Sequence, residues 1–175
     1  MTFLVAIVGV YLAPMFRVTF DFSRPGVSGE GGSTVMRMAD QLPLMWAEFV
    51  SPRWSPDSEV YETPQWLAVI ILGLLIAGGV NAVRGGWRPA FILAGVAALL
   101  VGYNLFTVPL ILHRGFDSGF SAISGRSTLT TDPHPVGMTV IVLSLLLPLA
   151  VTAAGWAAGR RCPIPDTGTE VAEPR

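Results

Sequence analysis

The 175-residue chain reads as an all-α integral membrane protein, with four transmembrane helices and an interfacial amphipathic helix in the first outer loop. Three observations predict this. Hydrophobic residues make up 51% of the chain and charged residues only 13%, where a soluble domain carries about a quarter charged. The missing charges are concentrated in four long runs free of Asp, Glu, Lys, Arg and His, the pattern of spans rather than of a greasy globular core. Between the first two runs, the stretch MRMADQLPLMWAEFV (36–50) sets Met, Leu, Trp and Phe at helical spacing outside any span.

The first run, MTFLVAIVGVYLAPMF (1–16), is short, since a span needs about 20 mostly apolar residues at 1.5 Å each. Phe20 and Phe22 are expected to complete its depth. It has no basic n-region and no A-x-A site before Arg17, which marks a retained helix rather than a cleaved signal peptide.

The first outer loop, 17–65, divides in three. Residues 21–33 are a Gly/Pro/Ser-rich connector, and residues 51–64 an extended, Pro-containing return to the membrane. Between them the spacing predicts a helix over about 34–50. Its stripe is Val35, Met38, Leu42, Met45, Trp46 and Phe49, with Arg37, Gln41, Leu44 and Glu48 opposite. Ser33 or Thr34 can cap its start, and Pro43 interrupts it. The loop holds four Arg against seven acidic residues, so attraction to anionic lipid is weak. The stripe is therefore expected to pack on the protein's own spans or to bind a partner, and its six residues are the candidate partner-binding surface.

The second span is 66–83, the third 89–112 and the fourth 138–159. The link 84–88 (RGGWR) and the disordered tail 160–175 carry Arg84, Arg88, Arg160 and Arg161. Short Arg-dense flanks belong in the cytoplasm. Both termini are thus expected inside, with the loops 17–65 and 113–137 outside. Trp66 marks one interface, and Trp87 and Trp156 the other. Small residues four apart, such as Ala90, Ala94, Ala98 and Gly102, allow close helix packing in a four-helix bundle or in a homo-oligomer. Pro14, Pro109 and Pro148 predict kinks.

Chemistry is sparse. All eleven basic residues are Arg, which we read as a mark of a GC-rich bacterial genome, and the net charge of −1 offers nothing to nucleic acid. Without Lys there is no phosphate-binding P-loop, and the single Cys162 excludes an intrachain disulfide. No span carries an ionisable side chain suited to ion coupling. The second outer loop, 113–137, gathers His113, Asp117, Asp132 and His134, a conceivable metal or haem site whose spacing matches no ligand motif. Met36 and Met38, with Met15 and Met45, are soft donors for Cu(I), although packing is the plainer role. No cofactor is assigned. Tyr103–Asn104 is the best buried polar candidate, with Asn104 expected to hydrogen-bond across helices.

Four runs with a larger first loop resemble tetraspan proteins such as claudins in outline. The first-loop Trp and Cys pair of that family is absent, so no residue role carries over. The expected function is a non-catalytic accessory or assembly subunit of a larger bacterial inner-membrane complex. Its partners are membrane lipids and a larger membrane protein or further copies of itself. The alternatives are an oligomeric transporter or channel for a neutral substrate, and a metal- or haem-binding enzyme built on the outer His/Asp cluster.

Overall fold

The computed structural model describes residues 1–24, 27–28, 32–42, 58–120 and 126–161. Four α-helices carry the apolar runs: α1 (Thr2–Leu12), α2 (Ser58–Val83), α3 (Trp87–Phe120) and α4 (Pro135–Arg161). Three of them contain stretches long and apolar enough to cross a membrane, namely Gln65–Val83, Trp87–His113 and Pro135–Arg160. The first expected span is shorter than its apolar run. Helix α1 has 11 residues, which at 1.5 Å each cover roughly half of a ~30 Å hydrocarbon core. It stops because Ala13 turns extended, at φ −69 and ψ 140, ahead of Pro14, a conformation that a following proline favours.

Helix α1 nevertheless packs as the fourth member of a bundle. Its Phe3 ring lies against Gly78 and Gly79 near the end of α2, while its Tyr11 hydroxyl donates to the Ala68 carbonyl near the start of the apolar part of α2. The two helices therefore run antiparallel. On the other side Gly9 faces Ser144, and Trp87 at the start of α3 packs on Gly155 late in α4. The bundle thus has a link end, with Met1, the α2–α3 turn and the end of α4, and an opposite end.

The α2–α3 turn closes in a Schellman motif. Gly86 N–H donates to Asn81 C=O (2.8 Å) and Gly85 N–H to Ala82 C=O (3.1 Å), satisfying two carbonyls of the last turn of α2. Gly85 sits at φ +79, a conformation that costs a Cβ-bearing residue about 1–2 kcal/mol.

The end of the bundle opposite the link carries a β-sheet that the sequence reading does not foresee. Strand β1 (Pro14–Arg24) pairs antiparallel with β2 (Val27–Ser28), β3 (Gly32–Arg37) and β4 (Arg126–Pro133). Both long loops contribute: Arg17 lies opposite Val35 on one side and Asp132 on the other. The expected connector 21–33 is in part sheet, and the start of the expected helix over 34–50 is strand. The physical reason is period two. Phe16, Val18, Met36 and Leu129 face the core, while Arg17, Val35, Arg37, Thr130 and Asp132 face out. A single 3-10 turn, Ala39–Gln41, follows β3.

The sheet is tied to the bundle at β1. His134 N–H donates to Met15 C=O (2.9 Å), and Gly137 lies directly against the Pro14 carbonyl, where no Cβ fits. The inner sheet residues share one hydrophobic core with Ala68, Ile71, Val101, Val108 and Ile141 of the helices. Leu4, Leu99, Phe106 and Leu143 are among the large apolar side chains left exposed on the helices, as expected of residues turned to lipid.

Candidate functional site

Two fully buried polar side chains, Gln41 and Asn104, meet where the sheet rests on α3. Beyond β3, Asp40 accepts a hydrogen bond from Arg37 N–H (2.7 Å), and Gln41 N–H donates to Met38 C=O (3.1 Å). These two bonds wind the chain into the 3-10 turn and swing Gln41 inward, where it is fully buried. Asn104, on the buried face of α3, donates through Nδ2 to Gln41 Oε1 at 2.7 Å. Gln41 Nε2 in turn reaches the Met15 thioether at 3.8 Å, a weak acceptor. Met15 stands at the irregularity in β1 between Pro14 and Phe16. Asn104 Oδ1 is buried without a hydrogen-bond partner among the described residues.

This arrangement joins the first long loop to the third apolar helix through two neutral amides. In a low-dielectric interior such a bond is costly to break, because either amide left alone forfeits its whole solvation. Met15, Met36 and Met38 are all fully buried on the sheet side of the same core. The cluster contains no titratable group, so it offers hydrogen bonding and soft thioether donors rather than acid–base chemistry.

The six stripe residues do not stay together. Val35 lies on the outward face of β3 and is 39% exposed, whereas Met38 is fully buried and Leu42 is partly buried against the core. A strand sends neighbouring residues to opposite faces, so the helical grouping of Val35 with Met38 is lost. Met45, Trp46 and Phe49 lie outside the described residues. Gln41, assigned from sequence to the polar side of that helix, is instead the buried partner of Asn104. Asn104 does hydrogen-bond to another element, while its neighbour Tyr103 is 53% exposed and takes no part.

The second-loop residues are engaged separately. His113 Nε2 lies 3.2 Å from Thr131 Oγ1. His134 precedes Pro135 at the start of α4, and its Nδ1 accepts from Gly137 N–H at 3.2 Å, an N-terminal helix cap. Asp132 is exposed opposite Arg17, and the Asp117 side chain and Cys162 lie outside the described region. Among the described residues no three or more His, Cys, Asp or Glu side chains are placed to hold a metal ion.

Compared with family models, curated proteins and solved structures, the chain finds no match.

Proposed function

We propose that the chain is a multi-pass protein of the bacterial cytoplasmic membrane that serves, without catalysis of its own, as an accessory or assembly subunit of a larger membrane complex. The observation that carries this reading is the sheet. Among the described residues β3 pairs with β1 alone, which leaves one edge of backbone donors and acceptors beside the outward Val35. Such an edge is a template for an added strand from another chain. The groups that could otherwise suggest chemistry have local partners: His134 caps α4, His113 meets Thr131, and Asp40 holds the 3-10 turn. The stripe of the first outer loop contributes to this docking surface through Val35, while Met38 serves the core.

Purification from native membranes in a mild detergent, followed by mass spectrometry, tests the reading. A larger membrane protein is expected to co-purify in stoichiometric amount. Val35→Glu is expected to release it while leaving the thermal unfolding of the chain unchanged. Recovery of the chain alone, or only as a homo-oligomer, overturns the proposal.

A further inference from the structure

At the link end of the bundle, remote from the sheet, an open lateral cavity of about 640 Å³ lies among α1, α2 and α4. Its walls are apolar, with Phe3, Ile7, Ile76, Val80 and Val151 prominent, and Arg84 and Trp87 also line it. One of its few polar neighbours, the Thr152 hydroxyl, already donates to the Pro148 carbonyl at 2.6 Å. Thr2 and Arg84 also line the cavity, so hydrocarbon dominates the walls and charge stands at one side. The volume is in the range of a small-molecule site, about 300–1,000 Å³.

Charge at this end is of one sign. Arg84, Arg88 and Arg160 lie there, and the described residues 80–92 and 150–161 contain no Asp or Glu. Trp87 packs on Gly155, and the adjacent Trp156 ring carries the Arg160 guanidinium 4.2 Å from its centroid. Phe91 meets that same ring at 5.9 Å. Aromatic rings and basic groups thus share one level, as they do at a membrane interface.

We infer that this cavity is a binding site for an anionic phospholipid, with an acyl chain between α1, α2 and α4 and the headgroup phosphate at Arg84. The apolar walls match a hydrocarbon chain, and a guanidinium matches phosphate oxygens in charge and geometry. A second copy of this chain docked on the same face would bring further Arg to Arg84 and no acidic residue from the described segments of this end, so the charge favours lipid over self-association. The inference depends on the chain lying in a membrane and not on the docking role of the sheet.

The test measures lipid binding to the purified full chain by native mass spectrometry, with thermal unfolding as a second readout. Phosphatidylglycerol is expected to bind about fivefold more tightly than phosphatidylcholine, the ratio that one basic contact supplies. Arg84→Gln, at an exposed position, removes that preference and retains the weaker binding. Ile76→Trp fills the cavity and abolishes retention of either lipid, with unfolding no earlier than in the wild type. Glycerol phosphate fails to compete. Equal affinity for the two lipids, a preference that survives Arg84→Gln, or competition by glycerol phosphate overturns the inference. So does a concentration-dependent dimer that Ile76→Trp dissolves.

Discussion

Asn104 and Gln41 illustrate what a single buried amide demands. Each is fully buried, and each holds the other at 2.7 Å. Truncating one strands its partner, whereas replacing both with apolar groups removes the need for a bond. Gln41→Leu is therefore expected to lower the unfolding free energy in detergent by about 1–3 kcal/mol, and Asn104→Leu by a similar amount. The double variant recovers most of that loss, so the measured coupling opposes simple addition. Additive losses in denaturant titrations would show that the two amides do not depend on each other. The sequence points to Asn104, a polar residue inside an apolar run, because the run itself excludes water. It does not point to Gln41, since the helical spacing of Val35, Met38 and Leu42 assigns that residue to a solvent face. Only the strand geometry of β3 and the turn that Asp40 anchors bring it inward.

Among the elements, α2, α3 and α4 are legible because an uncharged run of their length has few soluble alternatives. The sheet is hidden for two reasons. The alternation of β1 begins inside the apolar run 1–16, so Met15 and Phe16 read as the end of a span. Its partner β4 lies far along the chain, and Phe16 pairs with Pro133 through contacts that no local spacing announces. What secures the sheet to the bundle is a small contact with a strict shape. Gly137 sits against the Pro14 backbone, beside the bond from His134 N–H to Met15 C=O. Gly137→Val forces that backbone apart. Hydrogen exchange is expected to quicken at the amides of Phe16 and Val18, while the amides of α2 keep their protection. Unchanged exchange in β1 would show that the sheet is held by its inner apolar face alone.

At the scale of the whole molecule the structure places the first described residues and the last turns of α4 at one end, and the sheet at the other. The two ends differ in charge pattern. The link end shows Arg84, Arg88 and Arg160 with no acidic residue in the described segments around them, while the strands of the sheet carry Arg17, Arg24, Arg37 and Arg126 together with Asp21 and Asp132. Arg is retained in the cytoplasm most strongly where it flanks closely spaced spans, and Arg84 and Arg88 stand in the short turn between α2 and α3. The link end is therefore predicted to be cytoplasmic and the sheet to lie outside. Cys162, the single cysteine, follows α4 by one residue and serves as a native reporter. In intact cells a membrane-impermeant maleimide is expected to leave Cys162 unlabelled until the membrane is permeabilised. A cysteine introduced at exposed Ser33 in a Cys162→Ser background is expected to label without permeabilisation. The reverse pattern would invert the molecule and turn the β3 edge toward cytoplasmic partners, with the Arg84 cavity facing the outer leaflet. Labelling of both positions from outside would place the two ends on one side of the membrane, and the antiparallel bundle could then not cross it.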